Sequence, residues 1–397
     1  MKIALVHDYI KEYGGAERVL EALHEIYPKA PVYTSMYLPS YLGPHRERFK
    51  NWDIRTTWLQ YIPFKAKLIS PLRLLAPFAF RSLDFSGFDV IISSTTGAYF
   101  PNTLKKKRAK LVCYCHTPPR YLYGYATARE WKKYVVFRIL GAVVNHLLRM
   151  RDFDASKNVD FYIANSEEVA SRIKKFYRRE ATVIYPPIDV NPKSETRNPK
   201  HIQNTKYKIP NTEYYLAGGR LARPKHIDLI IKACMGLDLP LMIFGKGFAG
   251  YGEELREMAS GKLQTPIKSG QMENGEKRAL VEFVGEVTDE EKWELMKNAK
   301  AYINASEDED FGILPVEAMA AGIPVIAYRS GGVKETVVEG ETGLFFDDLT
   351  EESLMNIIKK FEKFTFDPKV SQRRAEQFSK DRFKKEIIHF IEKVGRE

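Results

Sequence analysis

Two glutamates beside a glycine turn are the residues of this 397-residue chain whose chemistry is most readily interpreted. Glu309 and Glu317 lie eight positions apart, with Gly312 and Pro315 between them. Because proline suits the start of a helix, and a glycine and a second proline close the segment, we predict a helix from about Pro315 to Ala321. Glu317 is then expected in the first helical turn and Glu309 in the preceding loop.

This arrangement indicates a site for a phosphorylated sugar. The backbone amides of Gly312, Ile313 and Leu314 lie at or just before the predicted helix start, where unpaired N–H groups and the helix dipole favour an anion such as a pyrophosphate. Glu309 and Glu317 can accept hydrogen bonds from the hydroxyl groups of sugars that flank such an anion. We therefore expect the ligand to be a nucleotide sugar.

In three other segments, a predicted strand is followed by glycines, basic side chains or a histidine. Gly14-Gly15 indicates a turn that enters a helix, so that the backbone can approach a ligand closely. The run Gly218–Lys225 combines two glycines with basic side chains. His116 ends the apolar run Leu111–Cys115 and precedes Thr-Pro-Pro, and the carboxyl ends of such strands line ligand clefts.

The stretch from Glu309 to Gly322 resembles the glutamate-pair signature of retaining glycosyltransferases of family 4. The Gly-Arg-Leu…Lys run that ends at Lys225 resembles a second element of that family, although His226 stands where glycine is usual. His-Thr-Pro-Pro-Arg-Tyr from His116, with Gly-Gly-Ala-Glu-Arg near the start, resembles mannosyltransferases of polysaccharide and O-antigen assembly. The resemblance covers nearly the whole chain and implies an α/β GT-B fold. This fold has two Rossmann-like doubly wound domains, an active-site cleft between them, and a C-terminal helix that crosses back to the first domain.

The resemblance implies a role for each matching residue. Glu309 would hold hexose hydroxyls, Glu317 the ribose, and Arg220 with Lys225 the diphosphate, while His116 would orient the transferred sugar. A guanidinium can bond two phosphate oxygens and an ammonium adds a point charge, which suits a leaving group that gains negative charge. His116, Glu309, Arg220 and Lys225 are thus the predicted catalytic residues.

The predicted donor contacts share positions in the glycine turns, beside the nucleobase, or at the helix start. They are Gly14, Gly15, Arg220, Lys225, Val284, Val287, Glu309, Phe311, Gly312, Ile313, Leu314 and Glu317. The nucleobase is expected near Val284 to Thr288. Asp8, Arg120 and Tyr121 are the predicted acceptor contacts. The favoured donor is GDP-mannose, with UDP-glucose as the close competitor, and no further cofactor is expected.

The expected reaction uses no metal and no protein nucleophile. Asp152-Phe153-Asp154 and Asp308-Glu309-Asp310 have the spacing of metal-binding aspartates, but the basic side chains and helix N-termini already compensate the diphosphate. No carboxylate pair has evident nucleophile and acid roles, which favours a front-face displacement in which the leaving phosphate accepts the acceptor proton. Retention of configuration is implied by the resemblance alone.

Composition limits the partners. Lys and Arg number 62 against 51 Asp and Glu, and the net charge of +11 suits anionic ligands or an anionic membrane. No motif that binds DNA or RNA accompanies this charge, so nucleic acid is not an expected partner. The first residues lack a signal-peptide pattern, and no apolar run approaches the roughly 20 residues needed to span a bilayer, which together predict a cytoplasmic protein.

The segment Phe64–Arg81 interleaves apolar and basic residues, and Leu104–Arg108 adds a basic run. Such a surface would attract anionic lipids by about 1 kcal/mol per basic residue and would suit a polyprenyl-linked saccharide acceptor at the cytoplasmic face of a membrane. A core helix broken by prolines, followed by a solvated loop, explains the same pattern equally well.

The pattern along the chain predicts two α/β domains. Residues 1–190 alternate strands and helices as an acceptor-binding domain, the proline-rich and charged stretch at 191–212 is a linker, and 213–378 repeat the alternation as a donor-binding domain. A helix over about 379–397 is expected to pack back on the first domain. The same architecture could serve a nucleotide-sugar epimerase or a sugar phosphorylase, so these activities remain alternatives to transfer.

Overall fold

The computed structural model describes residues 1–127, 135–190, 213–260, 272–273, 276–277 and 280–396, with no side chains described for 135–140 or for 272–277. Two compact units are present. The first contains Met1–Tyr125, residues 135–187 and the chain from Lys380 onward; the second contains Ala126, Thr127 and Ile188–Ser379. The predicted linker at 191–212 lies outside the described residues.

The first unit is built on a seven-stranded parallel sheet in the order β3-β2-β1-β4-β5-β6-β7. The strands are β1 Ile3–His7, β2 Val32–Thr34, β3 Ile54–Thr56, β4 Val90–Thr95, β5 Lys110–Cys115, β6 Phe161–Ala164 and β7 Thr182–Val183. Every residue of β1 and β4 is buried. Continuous burial of this kind is typical of parallel strands covered on both faces, and residues 3–6 of β1 and 90–92 of β4 are accordingly all apolar.

Helices cover this sheet, and the last one comes from the end of the chain. The helices of the first unit are Gly15–Ile26, Ile69–Leu72, Ala76–Arg81, Arg120–Tyr123, Val135–Lys157, Glu167–Tyr177 and Lys380–Val394. Phe383 and Ile387 of the last helix are buried in one cluster with Val19 and Leu23. The predicted return of the C-terminal helix to the first unit is confirmed.

The second unit repeats the design with six parallel strands in the order β12-β9-β8-β13-β14-β15. These are β8 Tyr215–Gly218, β9 Leu241–Phe244, β12 Val281–Gly285, β13 Ala301–Asn304, β14 Val325–Tyr328 and β15 Gly343–Phe346; a short antiparallel pair, β10 Met272–Glu273 and β11 Glu276–Lys277, lies apart from them. The helices are Ile227–Gly236, Tyr251–Ala259, Asp289–Lys297, Ile313–Ala320, Val333–Thr336, Glu351–Phe361 and Pro368–Glu376. The predicted α/β fold with two Rossmann-like units is confirmed.

Each sheet has a point where the strand order reverses. In the first sheet β1 and β4 are neighbours, and in the second β8 and β13 are neighbours. Ligands of doubly wound sheets bind beyond the carboxyl ends of the strands at such a reversal. The chain leaves these four strand ends into the segments that carry Asp8, Thr96, Gly219 and Glu309.

The helix of the glutamate segment begins earlier than predicted. It spans Ile313–Ala320, and Gly312 precedes it in the left-handed conformation with φ of +92°. Pro315 is therefore the third helical residue, where the backbone still needs no intrahelical N–H donor. The expectation that Glu317 lies in the first turn is wrong, because it is the fifth helical residue and lies one turn further in.

Within the described ranges, no helix is both long and apolar enough to cross a bilayer. Among the same residues, no three or more His, Cys, Asp or Glu side chains are grouped as a metal site. The expected independence from metals stays a prediction. Cys113 and Cys115 are both buried in the same core cluster of the first unit, because alternate residues of a strand face the same side of the sheet.

Candidate active site

An ion pair between two predicted catalytic residues lies at the strand reversal of the second unit. The Lys225 ammonium is 2.6 Å from Glu309 Oε2. Lys225 ends a short 3-10 helix, Arg223–Lys225, in the loop after β8, and Glu309 lies in the loop after β13. Their side chains are 30% and 15% exposed, so both remain accessible to a ligand. Because β8 and β13 are neighbours, residues far apart in sequence meet at this edge.

Further contacts join the same two loops. The backbone N–H of Glu307 donates to the Pro224 carbonyl at 2.8 Å, and His226 Nε2 lies 3.4 Å from Glu307 Oε2. His226 has a φ of +45°, in the left-handed region that glycine adopts most readily. The turn is therefore kept although histidine replaces the glycine that is usual in the family.

The helix N-terminus lies against the glycine loop. A Cβ added to Gly219 would fall 2.7 Å from Leu314 Cδ1, so the loop approaches the first helical turn closely. Gly312 caps the helix, and Ile313 and Leu314 are its first two residues. Their amides are among the four that an α-helix leaves without an intrahelical acceptor, so this end can receive an anion.

A serine-glycine-glycine turn supports Glu309 and was not identified from the sequence. Gly332 N–H donates to the Glu309 carbonyl at 2.7 Å, and Asp308 N–H donates to Ser330 Oγ at 3.1 Å. Gly331 has a φ of +67°, and a Cβ there would lie 2.1 Å from the Glu309 carbonyl oxygen. Two consecutive glycines after β14 were the available signal.

The other predicted donor residues of the second unit have distinct surroundings. Glu317 is buried, and its Oε1 accepts a hydrogen bond from Lys292 at 2.7 Å. The exposed Arg220 guanidinium lies 5.7 Å from the centre of the Phe248 ring. Phe311 is buried against Phe378, so its ring belongs to the core of this unit. Val284 and Val287, predicted near the nucleobase, are both half-buried.

His116 of the first unit is a buried, neutral imidazole. Burial, and then the nearby His7, lower its pKa to about 3. Its Nε2 lies 2.9 Å from Ser94 Oγ, and its backbone N–H donates to the Thr95 carbonyl at 2.9 Å. At neutral pH the ring can therefore take part in hydrogen bonds without carrying charge. Ser94 was not identified from the sequence, because a serine inside an apolar strand carries no local signal.

The Gly14-Gly15 turn is joined to the end of β1 by a charged side chain. Glu17 Oε2 accepts from Gly14 N–H at 2.9 Å, and Glu17 Oε1 lies 3.5 Å from His7 Nε2. Burial lowers the pKa of His7, but the Glu17 hydrogen bond and charge, with Asp8 and the Ser94 carbonyl, outweigh it and leave the pKa raised. The glycine turn is thus held against the strand end.

The predicted acceptor residues also have internal partners. Asp8 Oδ2 accepts from Thr95 Oγ1 at 2.9 Å and from Thr96 N–H at 2.7 Å, and Asp8 Oδ1 accepts from Tyr99 N–H at 3.0 Å. Asp8 therefore braces the loop after β4, and a direct acceptor contact through its carboxylate stays a prediction. Arg120 is half-buried at the start of its helix.

Two arginines that the sequence did not indicate contact the segment that follows β5. The Arg73 guanidinium lies 4.8 Å from the centre of the Tyr121 ring. Arg172 is buried and donates to Thr117 Oγ1 at 3.1 Å, directly after His116. These arginines fix the segment that follows β5, and no short motif marks either of them.

Comparison with known proteins identifies the family. Residues 13–192 match the model described as Glycosyltransferase Family 4, and residues 200–381 match Glycosyl transferases group 1. Alpha-1,3/1,6-mannosyltransferase ALG2 of Mus musculus is 25% identical over 96% of this chain and 94% of its own length. The ALG2 of Rhizomucor pusillus is 27% identical over 87% and 80%.

Two solved structures show the same fold. HepE of Anabaena, solved with UDP and glucose, has a TM-score of 0.70 and 20% identity and covers 99% of both chains. Sucrose-phosphate synthase of Thermosynechococcus elongatus has a TM-score of 0.70 and 18% identity with the same coverage. With its two Rossmann-like units and the two family models that together span most of its length, the chain belongs to the GT-B glycosyltransferases of family 4.

Proposed function

We propose that the protein is a retaining mannosyltransferase that moves mannose from GDP-mannose to a hydroxyl group of a saccharide acceptor. The observation that carries the site is the Lys225–Glu309 ion pair beside the N-terminus of Ile313–Ala320. Two ALG2 relatives named as mannosyltransferases, which align along most of their length, support the choice of sugar. The guanine base is the sequence-based preference.

The donor would bind through the cationic side chains and backbone N–H groups that lie beyond the carboxyl ends of β8 and β13. Its diphosphate would lie between Lys225, Arg220 and the amides at the helix start, where positive charge and unpaired N–H groups favour it. Glu309 would then accept hydrogen bonds from hexose hydroxyls. Because Lys225 already contacts Glu309, its ammonium group can bond the Glu309 carboxylate and a phosphate oxygen at the same time.

The proposed transfer is a front-face displacement. The bond between the anomeric carbon and the phosphate oxygen breaks, the bond from the acceptor oxygen to that carbon forms on the same face, and the acceptor proton passes to the departing phosphate. GDP leaves with that proton. Lys225 and Arg220 would stabilise the charge that develops on the diphosphate, which is the electrostatic contribution expected to lower the barrier most. His116, neutral at working pH, is the proposed hexose contact from the first unit.

The acceptor is proposed to be a saccharide, either free or linked to a polyprenyl carrier. In the first unit the Tyr121 hydroxyl and Arg73 Nε are buried without a hydrogen-bond partner among the described residues. Such donors gain by pairing with a polar ligand group. This supports Tyr121 as an acceptor contact, with Arg73 beside it.

A membrane-facing surface would bring a polyprenyl-linked acceptor to the enzyme. Phe64 and Phe78 of the segment Phe64–Arg81 are 79% and 59% exposed, and Tyr61 just before it is 83% exposed, whereas Ile69 and Phe80 of the segment are buried. The two explanations of this segment therefore combine, since one face enters the core and the other presents aromatic rings between Lys and Arg side chains. We propose that this face contacts anionic lipid at the cytoplasmic side of a membrane.

Vesicle cosedimentation tests the membrane contact. Phe64→Ser should lower binding to vesicles of phosphatidylserine and phosphatidylcholine, and wild type should bind phosphatidylcholine alone more weakly. Phe364→Ser is the matched control, because Phe364 is 40% exposed in the second unit. Equal binding of both variants, or no preference for the anionic vesicles, would remove the membrane proposal and leave the donor site intact.

A nucleotide-sugar screen tests the main proposal. Calorimetry with GDP-mannose, UDP-glucose and their nucleoside diphosphates should show preference for the guanine ligands, with loss of affinity in Lys225→Met. Preference for a UDP-sugar would replace GDP-mannose as the donor. Incubation with donor alone separates the other activities: an epimerised sugar without acceptor would indicate an isomerase, and turnover that requires free phosphate would indicate a phosphorylase.

A further inference from the structure

A buried lysine lies against the second glutamate of the signature. Lys292, in the helix Asp289–Lys297, places its Nζ 2.7 Å from Glu317 Oε1 and 3.1 Å from Asp289 Oδ1. The side chains of Lys292 and Glu317 are only 9% and 5% exposed. Lysine and glutamate are almost never buried to this degree unless they are paired.

Burial of this pair is not explained by stability. Desolvation of two charges can exceed the attraction between them, and a buried ion pair is often no more stable than apolar side chains of the same volume. The pair does hold Glu317 in one orientation, because a strong ionic hydrogen bond in a dry site restricts both side chains. A carboxylate has about four acceptor positions, so this bond leaves Glu317 able to accept others.

The backbone that carries Lys292 is itself well fixed. Thr288 caps the helix: its Oγ1 accepts from Glu291 N–H at 3.2 Å, and its own N–H donates to Glu291 Oε2 at 2.8 Å. Thr288 also ends the stretch from Val284 where the nucleobase is expected. Lys292 therefore connects the expected base-binding segment to Glu317, the expected ribose ligand.

We propose that Lys292 is a positioning residue for ribose recognition: it orients Glu317 so that the carboxylate accepts the 2′- and 3′-hydroxyl groups of the donor nucleotide. The proposal rests on the proposed nucleotide-sugar site and adds a residue to it. Lys292 acts through Glu317 and does not itself touch the donor. Its effect should therefore depend on the ribose hydroxyls and on no other part of the ligand.

The test compares GDP with 2′,3′-dideoxy-GDP by calorimetry. Lys292→Met should weaken GDP binding by about 10- to 100-fold, the range for loss of a hydrogen bond to a charged group, and leave dideoxy-GDP binding unchanged. Glu317→Gln should act in the same direction. Lys292→Arg, which keeps a cation at this position, should restore most of the preference for GDP. Lys297→Met is the matched control, because Lys297 is exposed at the end of the same helix.

Each outcome has one meaning. If wild type binds both nucleotides equally, or Glu317→Gln keeps the full preference for GDP, the proposed ribose site itself fails. If Glu317→Gln loses the preference and Lys292→Met keeps it, only the role of Lys292 is overturned. Partial unfolding would weaken both nucleotides alike and so leave their ratio unchanged. Should Lys292→Met not fold, Lys292→Gln carries the same comparison with one uncharged donor retained.

Discussion

Replacing Asp152 by asparagine should remove a large part of the pH dependence of stability in the first unit. Asp152 is 5% exposed, and its Oδ2 accepts hydrogen bonds from Tyr123 Oη at 2.8 Å and Tyr177 Oη at 2.9 Å. Burial raises its pKa strongly, the two tyrosine hydrogen bonds lower it in part, and the charge of Asp8 raises it further, to about 7. The carboxyl group is therefore mostly protonated in the folded protein below neutral pH.

The magnitude follows from the difference between the folded and unfolded pKa. The pKa rises from an ordinary value of 3.8 to about 7, and one pKa unit corresponds to about 1.4 kcal/mol. Because the folded pKa is the higher one, the folded state binds the proton more tightly. Its contribution to stability is fully present below about pH 4 and is lost as the pH rises through about 7. The free energy of unfolding should fall by about 1.4 kcal/mol per pH unit in this window, or about 4 kcal/mol in total.

Amide hydrogen exchange can measure this loss of stability in the first structural unit alone. The amides of β5 and β6 lie in the sheet of the first unit, so their exchange, corrected for the intrinsic rate, reports its opening separately from that of the second unit. Between pH 5 and 7, wild type should lose about 2.3 kcal/mol more than Asp152→Asn, because the carboxyl group is already half ionised at pH 7. Asp154→Asn should follow wild type, because Asp154 is an exposed partner of Lys157. Equal slopes for wild type and Asp152→Asn would refute the reasoning.

Three further predictions concern the candidate site. His116→Gln should make stability less sensitive to acid. Because the pKa of His116 in the folded state is lowered to about 3, the free energy of unfolding of wild type falls by about 1.4 kcal/mol per pH unit as the pH drops below about 6.5. Urea unfolding between pH 4 and 6.5 should show a shallower fall in the variant. An unchanged slope would contradict the buried neutral imidazole. Gly331→Ala should lower kcat/KM at least about tenfold because the added Cβ meets the Glu309 carbonyl, whereas Gly340→Ala, at a φ of +81° with no atom within 4 Å of its Cβ, tests left-handed strain alone. Similar kinetics in both variants would argue against the close contact. Glu309→Gln should abolish transfer yet tighten GDP binding, because Lys225 loses its internal partner and becomes fully available to phosphate; weaker GDP binding would contradict this competition.

The strong local signals of the sequence were sufficient for the fold. The apolar residues 3–6 of β1 and 90–92 of β4 are uniformly buried, as their pattern predicts for strands inside a sheet. The three-residue strands β2 and β3 were not predicted, because three residues cannot display a periodic pattern. The helix start at Ile313 was placed two residues late because proline is tolerated throughout the first turn, so its position alone does not define the boundary.

The candidate site was predictable only where one segment carries its own signal. The glutamates, the glycine turns and His116 each follow a strand end, and this local context identified them. Lys292, Ser94 and the Gly331-Gly332 turn act through partners 22 or more positions away, such as Ser94 with His116 or Lys292 with Glu317. Which strands and helices are neighbours decides these contacts, and a single sequence does not contain that information in local form.

The two glutamates of the signature differ in how deeply their ion pairs with lysine are buried, and this difference suits them to different roles. Each is held by one ammonium, Glu309 by Lys225 at 2.6 Å and Glu317 by Lys292 at 2.7 Å. The first pair is partly exposed, so the diphosphate of the donor can bind Lys225 beside Glu309 or in place of it. Water around the pair screens these charges, which lowers the free-energy cost of the exchange. The second pair is almost completely buried, and separating it would leave an uncompensated charge in a dry site. Lys225–Glu309 is therefore suited to rearrange with the substrate, whereas Lys292–Glu317 is suited to remain fixed while the ribose is bound against it.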